Sequence, residues 1–352
     1  MSPREITDLA ASCGFELAGV AAALPHPDAA RYDDWVRRGL AGRMGYLTDH
    51  RAAIRADPRR LLPSARSIIC VGKLYNGPEP YSTEFDSTDL AWISRYAWGD
   101  DYHDVLRAGL ERLAHALGPD HEWRVCVDTA PLLERSYARE AGLGWIGKNT
   151  CLINEPRGSW FFLGELLTSL EIEPDSPPPD RCGTCTRCID ACPTNALTPY
   201  ELDATLCISY FTIELRGSVP EEHRASMGRH IFGCDICQDV CPWNRRAPVT
   251  ADPAFAPREF APPLEKLAAL TEEEFRAVFR NSPVKRTKYL GFLRNVAIAM
   301  GASGEPKFRP VLERLQESTD ETVRDAACRA LFHLDSCGRT SGAANLGCGP
   351  AF

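Results

Sequence analysis

The run CGTCTRCIDACP, from Cys182 to Pro193, constrains this chain more than any other stretch. Cysteines spaced x2, x2, x3 and followed by proline let tight turns bring three thiolates onto one [4Fe–4S] cluster, while the fourth reaches across to a neighbouring cluster. A second run, GCDICQDVCPW from Gly233 to Trp243, repeats the pattern one cysteine short. Used reciprocally, Cys241 completes the first cluster, and Cys192 joins Cys234 and Cys237 in the second. Cys207 is the only other cysteine between the runs and takes the remaining place. The expected ligand sets are therefore Cys182, Cys185, Cys188 and Cys241 for one cluster, and Cys192, Cys207, Cys234 and Cys237 for the other. Paired CxxC elements also hold tetrahedral zinc, so a zinc module is the competing reading.

The surrounding chain favours metal over disulfides. Its start, MSPREITDLAASCGFELAGV, has neither a basic region before an apolar core nor a twin arginine. No stretch approaches the roughly 18 apolar residues of a membrane span. The expectation is a cytoplasmic protein with no membrane partner, where fifteen cysteines read as metal ligands because thiols stay reduced. Cys13, Cys70, Cys126, Cys151, Cys328, Cys337 and Cys348 lack ligand spacing and read as buried apolar side chains or tail residues. The formal charge of −8 argues against a nucleic-acid partner only if it is evenly spread. It is not: RNSPVKRTKYLGFLRN holds Arg280, Lys285, Arg286, Lys288 and Arg294 with no acidic residue. That run reads as a local basic face or as a solvated helix face.

The N-terminal half alternates β-rich runs with amphipathic helices, the pattern of an α/β or α+β domain. SIICVGKLY (Ser67 to Tyr75) and WRVCVD (Trp123 to Asp128) read as buried strands. Between them Val105, Leu106, Leu110, Leu113 and Leu117 form one helical stripe. PLLERSYAREAG reads as a short helix with Pro131 near its first turn. The proline-rich EPDSPPPD (Glu173 to Asp180) continues neither a helix nor a central strand and marks a boundary. From Leu264 to Leu334 short helical segments recur, with a capping box at Thr271 to Glu274, in the manner of stacked helix pairs. The expected fold class is α+β: an α/β domain over 1–175, a ferredoxin-like double-cluster domain over 176–250, HEAT-like helical repeats over 256–335 and a flexible glycine-rich tail over 336–352.

AGLGWIGKNT (Ala141 to Thr150) imitates nucleotide-binding loops through Gly142, Gly144, Gly147 and Lys148. Such loops need a strand directly before the glycines, and a P-loop needs Ser or Thr where this chain has Asn149. The glycines are instead expected to let the backbone approach another flat or bulky ligand. Asp128, at the end of a predicted strand, is open to two readings. Desolvation would raise its pKa and make it a general acid, or it is an ordinary capping residue before PLLER. Asp101-Tyr102-His103 begins like a cobalt-binding DxHxxG element, but the glycine is missing and the context is an amphipathic helix. His103 is not expected to ligate cobalt.

Taken in order, SRYAWGDDYH, VDTAPLLERSYAREAGLGWIGKNTCLI, GSWFFLGELL, CGTCTRCIDACPTNAL, CISYFTIELRG, IFGCDICQDVCPWN and SPVKRTKYLGFLRNVAIAMGA closely resemble the epoxyqueuosine reductase family, over about residues 4 to 335. The resemblance implies a cobalamin-dependent enzyme with two [4Fe–4S] clusters that reduces epoxyqueuosine to queuosine at the wobble position of tRNA. It implies an N-terminal domain similar to that of reductive dehalogenases, with cobalamin held base-off. By the same resemblance Asp128 is the proton donor, and Ser94, Leu152, Leu163, Ser209, Cys234 and Asp235 contact the corrinoid. An arginine role falls on Arg55, with His50 and Arg51 competing, because YLTDHRAAIRADP carries an apparent extra residue. Lys285, Arg286, Lys288 and Arg294 would grip tRNA phosphates. Turning an epoxide into an alkene and water takes two electrons and two protons, and no side chain supplies electrons. The clusters would pass them inward from an external donor such as a flavodoxin or ferredoxin, to a chain acting as a monomer. A reductive dehalogenase is the competing reading of the same chemistry, but it leaves the basic helical domain without a use. A non-catalytic ferredoxin-like carrier or RNA-binding adaptor leaves the N-terminal domain and Asp128 without one.

Overall fold

The computed structural model describes residues 1–340, with side chains to Ser336. Ser67–Leu74 is buried at every position, so it needs cover on both faces. It lies inside a four-stranded sheet ordered Leu17–Ala22, Ser67–Leu74, Phe161–Thr168, Trp123–Cys126, with every neighbouring pair antiparallel. Helix Tyr102–Ala116 lays Leu106, Leu110 and Leu113 against one face, beside Ile69, Val71 and Leu166. Gly164 permits this approach, since a Cβ there would stand 2.9 Å from Leu110. Helix Glu134–Glu140 closes the other face over Cys70, Cys126 and Leu167. Both expected strands form, and antiparallel pairing makes the domain α+β, but Trp123–Cys126 is an edge strand exposed at Trp123 and Arg124 rather than buried throughout. The helix expected near Pro131 starts at Glu134 instead, because Asp128 turns the chain at φ 49° and the residues up to Leu133 stay in a loop.

The irregular stretch 171–182 leads to the cysteines, as its prolines require. Asp175 is still stitched to the sheet: its N–H donates to the Val20 carbonyl at 2.8 Å and its carboxylate accepts from the Val20 N–H at 2.9 Å. A second junction runs the other way. Trp92–Ile93 pairs in parallel with His230–Phe232, just before the second cysteine run. Asp235, 1% exposed, anchors it by accepting from Trp92 Nε1 at 3.1 Å, Ser94 Oγ at 2.5 Å and the Arg95 N–H at 2.8 Å. The Arg95 guanidinium lies 4.5 Å from the Trp98 ring and 5.1 Å from Tyr81, a cation–π setting. It also donates to the carbonyls of Gly77, Glu79 and Pro80.

Helix Lys288–Ser303 is buried from Phe292 through Gly301, as a central helix must be. Leu264–Ala268, Glu221–Met227 and Glu321–Thr340 pack around it. At Gly301 a Cβ would stand 2.6 Å from that of Ala330, so glycine sets the helix spacing. The capping box at Thr271 forms, with Glu274 accepting from the Thr271 N–H at 2.8 Å and Thr271 Oγ1 from the Glu274 N–H at 3.2 Å. One core joins Trp92, Trp98, Phe232 and Phe292, so this helical layer, the cluster module and the 91–98 segment share their interior. Among the described residues, no helix is long and apolar enough to cross a membrane.

Two expectations need correction. The last helix runs through Thr340, so the first five residues of the stretch 336–352 are helical. The rest of that stretch, Cys348 included, lies outside the described residues. Arg294 is not on a basic surface: it is 1% exposed, and its guanidinium donates to the carbonyls of Phe211, Leu215 and Gly217 and to Asn295 Oδ1. Burial pushes its pKa down to about 10. It ties the central helix to the segment after Cys207, a role that its position inside a basic run conceals. Arg294→Met should lower unfolding free energy by about 3 kcal/mol, because three buried carbonyls lose their donor. Denaturant unfolding of the variant checks this.

Candidate active site

The fold gathers the eight expected cysteines into two groups. Cys188 lies beside Cys182 and Cys185, and Cys241 beside Cys182 and Cys188. In the other group Cys207 lies beside Cys192, Cys234 beside both, and Cys237 beside Cys207 and Cys234. The exchange of Cys192 and Cys241 between the runs is therefore present in the geometry. A four-iron cluster gives each of four thiolates its own iron. The quartets fit clusters.

The nucleotide-like loop turns out to serve these quartets. Lys148 Nζ donates to the carbonyls of Gly183 at 2.7 Å and Cys185 at 3.0 Å, and Asn149 Nδ2 to that of Cys237 at 3.2 Å. Its glycines accommodate protein backbone rather than a ligand: a Cβ at Gly144 would lie 2.2 Å from the Ile153 carbonyl oxygen. Cys151, which spacing leaves without a role, has its thiol against Cys237. Cys13, Cys70 and Cys126 are buried as expected, while Cys328 is exposed.

A cleft of about 910 Å³ lies between the sheet domain and the helical layer. Tyr46, Tyr96, Tyr102, His103 and Asp128 line one side, while Arg276, Arg280, Lys285, Arg286 and Lys288 line the other. Four of these cations belong to the basic run. Arg276 escapes sequence reasoning, although it stands one helical turn before Arg280. Ile213 and Glu214 also line the cleft, a few residues after the ligand Cys207. Arg286 Nε meets Glu214 at 2.7 Å and its guanidinium lies 5.1 Å from the Tyr46 ring.

Asp128 is not a helix cap. That helix begins after Leu133 without a side-chain cap, and the Asp128 carboxylate instead meets His103 Nε2 at 3.2 Å. His103 Nδ1 is 2.7 Å from Asp101, whose other oxygen accepts from Lys285 Nζ at 2.9 Å. The expectation that desolvation keeps Asp128 protonated is overturned here. Burial does push Asp128 up, but the His103 hydrogen bond and charge, Arg286 and the Tyr102 hydroxyl outweigh it and hold the carboxyl below its ordinary value. Burial opposes charge on His103, yet its bonds to Asp101 and Asp128 raise it to about 9. The resting proton sits on the imidazole. With both ring nitrogens committed to carboxylates, His103 offers no lone pair to cobalt.

None of the residues expected at the corrinoid is among the described residues that line this cleft. Ser94 and Asp235 are buried and bonded to each other, Leu152 is buried, and Leu163, Ser209 and Cys234 are partly buried. Of the three candidates in the 50–55 segment, Arg55 alone is buried, with its guanidinium 3.5 Å from the carbonyl of Tyr46 and 5.5 Å from the Tyr32 ring. Arg51 is spent on Asp49 at 2.7 Å, and His50 is exposed.

Two thiol quartets beside a cleft that carries an acid–base pair define an iron–sulfur oxidoreductase. The family model "Epoxyqueuosine reductase QueG, DUF1730" matches residues 55–129, and "4Fe-4S double cluster binding domain" matches residues 181–244. The epoxyqueuosine reductase of Leadbetterella byssophila is 43% identical over 299 residues, covering 84% of this chain and 97% of the relative. A crystal structure of epoxyqueuosine reductase with a tRNA-Tyr epoxyqueuosine-modified stem loop superposes with TM-score 0.75 at 30% identity, covering 94% of this chain and 98% of that one. The Bacillus subtilis enzyme, in a structure with its catalytic aspartate loop swung out of the active site, superposes equally well, with TM-score 0.75 at 28% identity over 94% of this chain and 98% of that one. The chain belongs to the epoxyqueuosine reductase family.

Cys207→Ala should lose one cluster, about half of the bound iron, and keep the other. Iron and sulfide analysis after anaerobic reconstitution checks this; full iron content would remove Cys207 from the ligand set.

Proposed function

We propose that this protein reduces epoxyqueuosine to queuosine at the wobble position of tRNA, with Asp128 delivering to the departing epoxide oxygen a proton that His103 supplies. The observation that carries this reading is the cleft itself. It brings the His103–Asp128 pair together with five cations and with Ile213 and Glu214, which follow Cys207 in the chain. A small organohalide has no use for the cationic wall, whereas an RNA phosphate backbone does. Tyr46 and Tyr96 line the cleft where a base taken out of the anticodon stack can lie.

Bound cobalamin and the two clusters supply the two electrons that oxygen removal requires. Ser94, Leu152, Leu163, Ser209, Cys234, Asp235 and Arg55 are the residues we assign to hold the corrinoid. The fit rests on their chemistry: the buried polar groups of Ser94, Asp235 and Arg55, with the apolar side chains of Leu152 and Leu163, would offer hydrogen bonds and contact to a large ring edged with amides. The chain's own contribution is to the protons. Asp128, about half exposed into the cleft, takes the proton held by His103 through their hydrogen bond and passes it to the departing oxygen as the C–O bond breaks, which prevents alkoxide charge from building. Asp101 holds the ring in place. The quartet of Cys182 sits in the open loop around 181–187, and there a flavodoxin- or ferredoxin-like donor docks. The protein works in the cytoplasm, where its tRNA substrate is, as a monomer. Lys285, Arg286 and Lys288, together with Arg276 and Arg280, hold the RNA phosphates.

Asp128→Asn should keep both clusters and bound cobalamin but slow turnover by at least about a hundredfold. Loss of one oxygen from the nucleoside, followed by mass spectrometry under anaerobic conditions, measures it. Because the proton store is His103, raised to about 9, turnover should hold through neutral pH and decline as pH climbs through about 9. His103→Asn should remove that decline along with most of the rate. Replacing Arg280 and Lys288 by alanine leaves the ion pairs of Lys285 and Arg286 intact. It should flatten the salt dependence of tRNA binding by up to about two units of slope; an unchanged slope would mark this wall as merely solvated.

A further inference from the structure

Behind Asp128 lies a pair of carboxyl groups that the proton-transfer chemistry above does not use. Glu134, in the first turn of its helix, accepts the Asp128 N–H through Oε1 at 2.5 Å. Its carboxyl also meets that of Glu165. Glu165 is 0% exposed in the strand Phe161–Thr168, and neither of its oxygens receives an N–H or O–H from any other group. Its cross-strand neighbours are Cys70 on one side and Cys126 on the other, both buried thiols. Among the described residues no cation forms an ion pair with either carboxyl. Arg135, the nearest, is exposed and spends its guanidinium on the Thr150 carbonyl and hydroxyl. Arg124 donates to the Leu61 carbonyl. Asp128 itself adds a third negative group, and Tyr102, from helix Tyr102–Ala116, faces the same spot with a neutral hydroxyl.

Two ionised carboxylates in this setting would repel one another in a medium too poor in water to screen them. Two carboxyls with one proton between them form a hydrogen bond instead. Burial first raises both groups; the Asp128 charge then raises Glu134, and Glu134 itself raises Glu165 through its charge and their hydrogen bond. The site they support is strained: Asp128 sits at φ 49°, a left-handed conformation that a non-glycine residue keeps only when its surroundings insist.

We propose that Glu165 is a positioning residue for Asp128: a proton shared by Glu165 and Glu134 aims the free Glu134 oxygen at the Asp128 N–H and latches the aspartate loop into the cleft. The importance of the latch for turnover rests on the reading of Asp128 as proton donor; its existence does not. In the Bacillus subtilis relative the catalytic aspartate loop is found swung out of the active site, and a latch of this kind would decide between two such positions. As pH rises and the shared proton leaves, the two carboxylates push apart, Glu134 lets go of the Asp128 N–H, and the loop opens.

The test compares Glu165→Gln, which keeps a donor toward Glu134 but cannot titrate, with Glu165→Leu, which keeps volume and loses the donor. Both are measured as cluster- and cobalamin-loaded protein. Amide hydrogen exchange over residues 127–133 reports the latch directly. The Leu variant should exchange there about tenfold faster than wild type and lose about tenfold in kcat at unchanged KM for tRNA. The Gln variant should match wild type at neutral pH and stay protected at alkaline pH where wild type opens. Wild-type protection in the Leu variant, or exchange in the Gln variant as fast as in Leu, would overturn the proposal. If the Leu variant does not fold, the pH dependence of exchange decides alone: identical curves for Gln and wild type overturn it. Asp128→Asn assayed in parallel separates the two ideas, because full turnover there would end the proton-donor reading while the exchange result still judges the latch.

Discussion

Asp235 is the group on which the arrangement of this protein depends. A carboxylate at 1% exposure is tolerable only if its lone pairs are filled, and here three donors from Trp92, Ser94 and Arg95 fill them. Because Asp235 lies between Cys234 and Cys237 in the double-cluster domain, those bonds fasten this cysteine loop to the 92–95 segment. The same segment carries Arg95 and its aromatic cage, and Tyr96 at the cleft. Removing one partner would leave a buried charge uncompensated, a loss of several kcal/mol, and would uncouple electron supply from the place of reaction.

Much of this is legible in the sequence, and the reasons differ by element. Ligand spacing is a local geometric requirement, so it sorts seven of the expected cluster cysteines into two sets, and Cys207 follows by elimination as the one cysteine left between the runs. Strand Ser67–Leu74 and helix Tyr102–Ala116 announce themselves because burial imposes a period on their residues. The misreadings share a cause: they concern partners distant in the chain. Arg294 belongs to the basic run by sequence and to the interior by contact, since its acceptors lie near residues 211–217. The motif at Gly142 to Lys148 looks like a phosphate loop, and its lysine instead binds the carbonyls of the cysteine loop some 35 residues on. Arg276 lies outside the run that defines the basic patch.

Asp128 shows the limit most clearly. From sequence, a carboxylate at a strand end near the core is a desolvated acid; in the fold it is one end of a charge row, Lys285–Asp101–His103–Asp128. Alternating signs along such a row stabilise each charge by its neighbours. The aspartate is thereby ionised at rest and the histidine stores the proton. His103 fails a metal-binding pattern, and no pattern exists for what it does, because Asp101 and Asp128 approach it from different parts of the chain.

The bonds from Lys148 to Gly183 and Cys185, and from the 92–95 segment to Asp235, have a kinetic meaning. A free ferredoxin must diffuse to its partner, collide in the right orientation and leave. Here the inner electron carrier is held permanently at one separation from the cleft, so its transfer is a first-order event that dilution cannot slow.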